Sequence, residues 1–398
     1  MSGAIKVEEV KSYDELLCTS GPFASMFRNV LIKAKELNAS DIHIEPKKDD
    51  LVIRFRVNGD LSDFIKLKGI YSKPFLFEVK KIAGMSIAQK GKPQDSRVSY
   101  PSIGIDLRGS AIPSIYDDKL VFRVIDNESN VNLKALGHSE EVISVLKESI
   151  KFKNGLILMS GPTGSGKSST LYSILSLVDR KKLNVITIED PVERIIEGTT
   201  PIHVKKGFRF ADALKSAMRQ DPDVIFIGEI RDKETADIAI KAALTGHLVL
   251  STLHTNDSIS TVTRLINMGV PSYLIVSALT LVLGQRLARS NCPHCKKNEQ
   301  IDPKLLNDIG FSIEEASRVT IFKCKGCSKC DRKGYKGRQG IYEVLNITPK
   351  LQEAVLRNAS NVELNQIAKK EGYISMQEMG RSLLIQGAIG FEEYQRAL

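Results

Sequence analysis

Residues 156–178 read LILMSGPTGSGKSSTLYSILSLV. A short apolar run leads into Gly161–Ser168, which fits G-x-x-x-x-G-K-[ST], and a stretch with helical apolar spacing follows. Strand, glycine-rich turn and helix in that order make a P-loop. The glycines let backbone N–H groups wrap phosphates, and the start of the helix adds its dipole. Gly161, Pro162, Thr163, Gly164, Ser165, Gly166, Lys167, Ser168 and Ser169 are therefore the candidate nucleotide-binding residues. Lys167 is expected to reach the β- and γ-phosphates and Ser168 to hold Mg²⁺.

A P-loop needs acidic partners at neighbouring strand ends, and two segments offer them. VITI precedes Glu189-Asp190, and VIFI precedes Gly228-Glu229. Periodicity does not say which carboxylate holds the metal and which polarises the attacking water. His247 and His254 flank a further strand-like run, LVLST; a histidine at that strand's end could sense the γ-phosphate. Short β-rich runs alternating with helical stretches predict an α/β domain with a mostly parallel sheet. No N-K-x-D guanine-reading motif occurs, which favours ATP over GTP.

Outward from this core, the pattern changes. Residues 22–37 have helical spacing, DIHIEP and LVIRFRV read as strands, and Asn58-Gly59 is a hairpin turn signal. A helix near 73–84 and strands at 97–100, 103–112 and 119–125 complete a small α+β domain, 1–125. The polar stretch 126–137 is expected to link it to an ATPase domain at 138–398, with a cysteine-rich insertion at 291–340 and a helical tail at 349–398.

The chain has 398 residues, 42% hydrophobic and 26% charged, a soluble globular balance that suits two or three domains. Its net charge of +10 includes no run of five Lys/Arg, so a solvated surface is expected. The N-terminus lacks the apolar core of a signal peptide, and the longest apolar run, Tyr273–Leu283, is too short to span a bilayer. The expected location is cytoplasmic, peripheral to a membrane. Five of six cysteines lie between Cys292 and Cys330. Cys292-Pro-His-Cys295 and Cys327-Ser-Lys-Cys330, separated by 31 residues, are two knuckles that can close a tetrahedron around Zn²⁺. Such a four-sulfur site is structural; by spacing alone Cys324 or His294 could compete for it.

The ordered series GPTGSGKSS, TIEDPVE (187–193), RQDPDVIFIGEIRDKETADIA (219–239) and TGHLVLSTLHTND (245–257) resembles the secretion ATPase superfamily, and more narrowly the type II secretion and type IV pilus-assembly ATPases. Asn38–Pro46 and RFRVNG (54–59) match the family's second N-terminal domain. The resemblance implies a RecA-like P-loop core with a smaller PAS-like N-terminal α+β domain and a zinc-knuckle insertion. It places Glu189 and Asp190 in the aspartate box, Glu229 at the Walker B position, and His247 and His254 in the histidine box. It implies that Arg97 (in QDSRVSY) and Arg108 (in IDLRGSAIPS), with Arg123 nearby, supply charge to a nucleotide within a homo-hexamer. The run CSKCDRKGYKGRQGIYE (327–343) matches the second knuckle and fixes Cys292, Cys295, Cys327 and Cys330 as the zinc ligands. The tetracysteine element is typical of assembly and secretion ATPases rather than retraction ATPases. The implied partner is an inner-membrane platform protein. Two departures stand out: the N-terminal docking region of relatives is expected to be missing or vestigial, and Arg194 replaces a common aromatic. The competing class is a nucleic-acid motor. Few aromatics (6%) and no Trp argue against it, and no direct nucleic-acid contact is expected.

Overall fold

The computed structural model describes residues 21–398 apart from Lys90, 127–132 and Asp331. The chain divides into two compact units, Met1–Asn130 and Val131–Leu398. Part of the expected linker, 127–132, lies outside the described residues. From Leu133 onward that stretch belongs to the second unit, with Leu133 buried among its apolar residues.

The first unit is an antiparallel sheet with helices on one face. Helix α1 (Pro22–Glu36) leads to strands β1 (Asp41–Pro46), β2 (Asp50–Val57) and β3 (Asp60–Lys68), then α2 (Ser72–Ile82), β4 (Gln94–Tyr100), β5 (Ile105–Pro113) and β6 (Asp118–Asp126). The strand order is β3-β2-β1-β6-β5-β4. Asn58 and Gly59 both take positive φ, 53° and 91°, as a two-residue turn between right-twisted strands requires. Alternation does the rest: Leu51, Ile53 and Phe55 turn inward onto Phe27 and Leu31 of α1 and Val79 of α2. β4 begins three residues before the expected 97, and β5 runs 105–113 rather than 103–112.

The opposite face of that sheet is charged. Arg97, Arg108 and Arg123 stand in direct register on β4, β5 and β6, and Asp41 on β1 and Arg56 on β2 continue the row. Asp41 pairs with Arg123 at 3.5 Å and Arg56 at 3.7 Å. Among the described residues no carboxylate pairs with Arg97 or Arg108.

The second unit is the α/β core. It runs through α3 (Glu140–Ser149), β7 (Gly155–Ser160), α4 (Lys167–Leu177), β8 (Val185–Glu189), β9 (Thr200–His203), α5 (Phe210–Ala217), β10 (Val224–Ile227), α6 (Lys233–Leu244), β11 (Leu248–Leu253), α7 (Ser258–Asn267), α8 (Ser272–Ala278) and β12 (Leu279–Asn291). The sheet order is β15-β12-β7-β11-β10-β8-β9, where β15 is Tyr335–Asn346. All pairings are parallel except β12 with β15. β7, β8, β10 and β11 are buried along their whole length, which is why they read as unbroken apolar runs. Their alternate residues feed two cores. Ile157 and Met159 meet α3 and α4, while Leu156 and Leu158 meet the layer of α5 to α8. The long apolar run at 273–283 is split, half helix and half strand.

The cysteine-rich excursion is shorter than expected, 292–334, because β15 starts at Tyr335. It holds β13 (Lys296–Glu299), α9 (Pro303–Asp308), α10 (Ile313–Arg318) and β14 (Ile321–Cys324), with β13 and β14 paired. The tail holds α11 (Pro349–Leu356), α12 (Asn361–Lys370), α13 (Met376–Ile385) and α14 (Phe391–Ala397). Leu306, Phe311 and Ile321 of the excursion share one apolar cluster with Leu383, Leu384, Phe391 and Tyr394 of the tail.

Candidate active site and metal centre

The P-loop links β7 to α4. Gly161, Gly164 and Gly166 have φ of 146°, 80° and 88°, which side-chain-bearing residues rarely adopt. Pro162, Thr163 and Gly164 form the exposed crown, and Ser168 and Ser169 are half-buried in the first turn of α4. Lys167 is buried and folds onto its own loop, with Nζ 2.7 Å from the Gly161 carbonyl and 3.0 Å from that of Pro162. Burial pushes its ammonium down to about 8, against the charge of Glu229, while Arg286 adds to the fall.

That value gives a pH prediction. Below about 8, Lys167 is already charged and meets phosphate without proton uptake. Above it, the anion must recruit a proton, so nucleotide affinity falls, approaching ten-fold per pH unit. Calorimetric titration of the chain with ADP between about pH 7 and pH 9.5 checks this. A flat affinity across that window would contradict it.

The two carboxylates sit in different surroundings. Glu189 ends β8, buried, and accepts the Tyr172 hydroxyl from α4. Burial raises its pKa, partly offset by Tyr172. The next peptide bond, Asp190–Pro191, is cis. Glu229 follows β10 and is more open. It pairs with Arg231, and its other oxygen is 3.5 Å from His254 Nε2. Burial and the Lys167 charge hold the His254 imidazole below its usual pKa, opposed by Glu229. Lys167, Glu229, Arg231 and His254 thus form one polar cluster at the carboxyl ends of β7, β10 and β11.

His247 is not part of it. It precedes β11, and its main-chain oxygen accepts from Gly155 N at the start of β7. Its Nδ1 is 2.9 Å from the Ala242 carbonyl. The intervening six-residue strand puts it roughly 20 Å from the P-loop within the same unit. The chain's own fold therefore brings one of the two expected histidines to the site. Arg97 and Arg108 lie in the first unit, adjacent to each other.

Residues unforeseen from sequence complete the site. Arg231 stands two positions after Glu229, and Tyr172 lies in the P-loop helix. From β12, Arg286 Nη2 donates to Asn256 O at 2.8 Å, tethering the loop that carries His254. A polar Gln-Arg pair directly after the apolar LTLVLG was the available signal.

The four sulfurs of Cys292, Cys295, Cys327 and Cys330 lie within 4.8 Å of one another. Three of the separations are 3.9, 3.8 and 3.8 Å. A tetrahedron with metal–sulfur bonds of about 2.3 Å has edges of about 3.8 Å, so the set has the size a zinc ion needs. Backbone N–H groups of Cys327 and Gly334 point at Cys330 Sγ, 3.2 and 3.3 Å away. Cys324 sits beside the tetrad but outside the four-sulfur set: its Sγ is 3.3 Å from the Cys292 carbonyl oxygen, and it borders Cys295.

The family model of the type II/IV secretion system protein matches residues 18–396. The type IV pilus assembly ATPase PilB of Pseudomonas aeruginosa is 38% identical over 94% of this chain and 67% of its own length. PilB of Thermus thermophilus is 42% identical over 92% of this chain but 42% of its own length. The type II secretion system protein E of P. aeruginosa is 38% identical over 94% of this chain and 75% of its own. Among solved structures, the pilus retraction motor PilT with bound ADP superposes with a TM-score of 0.64 at 27% identity, covering 92% of this chain and 95% of that one. With its P-loop, strand-end carboxylates and histidine placed as described, the chain belongs to the type II/IV secretion system protein family and is an ATPase.

Proposed function

We propose that this ATPase is a hexameric motor at the cytoplasmic face of the inner membrane, extending a type IV pilus or a type II secretion pseudopilus against a platform protein. The observation that supports it most is a P-loop site in a chain 38–42% identical to pilus assembly and type II secretion ATPases along most of its length. Identity to the retraction motor is lower, 27%, and the cysteine tetrad also favours assembly. Among the described residues, no helix is long and apolar enough to cross a membrane, in keeping with attachment through partners.

In this reading the loop 161–169 holds ATP, Ser168 holds Mg²⁺, and Cys292, Cys295, Cys327 and Cys330 hold a structural Zn²⁺. Glu229 activates water, with Lys167 and His254 close to the phosphates; Glu189 braces the helix behind them through Tyr172. The chain passes from a PAS-like first domain to the motor core within 126–132, before Leu133 packs into the second unit. Arg97 and Arg108 act on the nucleotide of the ring. Like charges directly opposed across strands are unfavourable, and a phosphate anion relieves them.

The arginines supply the test. Arg97→Ala or Arg108→Ala is expected to lower kcat at least ten-fold with ADP affinity of the subunit little changed. Turnover per chain should rise with protein concentration as rings form. Mixing Arg97→Ala with Lys167→Ala chains should restore activity if one subunit's arginine serves its neighbour's site. Full activity of both arginine variants, independent of concentration, would refute the ring. Steeply salt-dependent DNA binding would favour a nucleic-acid motor instead.

A further inference from the structure

Gln285 is fully buried on β12, next to Gly284, which pairs with Ser160 where the P-loop begins. It touches both ends of that loop. A methyl group on Gly161 would lie 2.5 Å from the Gln285 main-chain oxygen, and one on Gly166 would lie 2.7 Å from its side-chain nitrogen. The amide is held from behind. Thr170, one turn into α4, donates its hydroxyl to Gln285 Oε1 at 2.8 Å. His138 Nε2 lies 3.3 Å from that same hydroxyl oxygen.

A hydroxyl has a single proton. Thr170 gives it to Gln285, so His138 must present Nε2–H and leave Nδ1 bare. The surroundings agree: Nδ1 is buried with no partner among the described residues, so a proton there would go unpaired, and burial lowers the imidazole to about 4, which keeps it neutral. The ring is fixed by stacking on Tyr342, centroids 3.8 Å apart. The donor order therefore runs one way, from His138 to Thr170 to Gln285. At its end the Gln285 amide nitrogen is buried beside Gly166, without a partner among the described residues. An unpaired buried donor is costly, and such groups persist where a site needs them.

We propose that Gln285 is a positioning residue of the ATPase site: the His138–Thr170–Gln285 chain locks its amide so that a donor, not an acceptor, faces the P-loop at Gly166. A flipped amide would put a carbonyl oxygen beside the turn that receives phosphate. Donors fixed in advance around an anion site need no rearrangement on binding.

The decisive variant touches neither loop nor nucleotide. Thr170→Val keeps the shape of the side chain and frees the amide to flip. ADP affinity of the full chain, measured by calorimetry with Mg²⁺ present, should fall about ten-fold, the order of one hydrogen bond to a charged group. Thr170→Ser should restore it. Gln285→Met should lose as much, and the double variant Thr170→Val/Gln285→Met no more than either alone, because both break one chain. A role in packing alone would lower the melting temperature and leave ADP affinity unchanged in the folded variants. Wild-type affinity in both single variants, or losses that multiply in the double one, would overturn the proposal. Should Thr170→Val fail to fold, Gln285→Met decides alone.

Discussion

Purified Glu229→Gln is expected to bind ATP and leave it uncleaved, with turnover lower by about a thousand-fold, or about 4 kcal/mol of transition-state stabilisation. The amide keeps the carboxylate's size. It loses the charge that pairs with Arg231 and faces His254. Lys167→Ala should also abolish turnover, but by a different route: it removes a cation from the phosphate cradle, so ATP affinity falls too. Glu189→Gln should be milder. Its carboxylate is buried and accepts the Tyr172 hydroxyl, and an amide oxygen can accept that proton as well. Single-turnover cleavage with nucleotide affinity measured in parallel separates the three. A dead Glu189→Gln beside an active Glu229→Gln would exchange the roles of the two carboxylates.

Cys327→Ser is the second large effect. The freshly purified chain should carry about one zinc ion, and this variant should carry none. Zinc binding to such sites is worth roughly 10 kcal/mol or more where it drives folding, so the excursion 292–334 should lose its fixed structure. The damage should spread to the tail through their common apolar cluster. Cys324→Ser should keep its zinc, because its sulfur is hydrogen-bonded to the Cys292 carbonyl oxygen and lies outside the set of four that closes within 4.8 Å. Elemental analysis with protease sensitivity of 292–334 reads both variants. Zinc retained in Cys327→Ser and lost in Cys324→Ser would move the ligand set.

What the sequence made legible follows from how local the constraint is. The P-loop was readable because its backbone angles demand glycine at 161, 164 and 166. The buried strands were readable because both faces must be apolar. The partnership of β12 and β15 was not. Its two strands lie far apart in the chain, and YKGRQGIYEVLN mixes charge with apolar residues. The misleading residue is Glu343, which is buried on β15. It accepts from Ser258 N at 2.5 Å, Tyr373 Oη at 2.7 Å and Met376 N at 3.0 Å, a set assembled only by the tertiary fold. Likewise, the two histidines look equivalent in sequence, and only the direction of β11 separates them. The arginine row is a register effect: Arg97, Arg108 and Arg123 are distant in the chain and adjacent once three strands pair.

The hairpin that carries the cysteines has a bearing on exchange between relatives. β12 and β15 stay paired down to Asn291 and Tyr335, across a register shift after Arg289, so their ends are close enough for a short turn to join them. Topologically, the whole segment 292–334 could be cut out or replaced without reordering the sheet. The apolar cluster forbids that as a single step. Removing Leu306, Phe311 and Ile321 would bare Leu383, Leu384, Phe391 and Tyr394 of the tail. Excursion and tail are therefore one transplantable module in two sequence pieces. A chimera that exchanges both together should stay soluble, whereas one that exchanges the cysteine segment alone should aggregate.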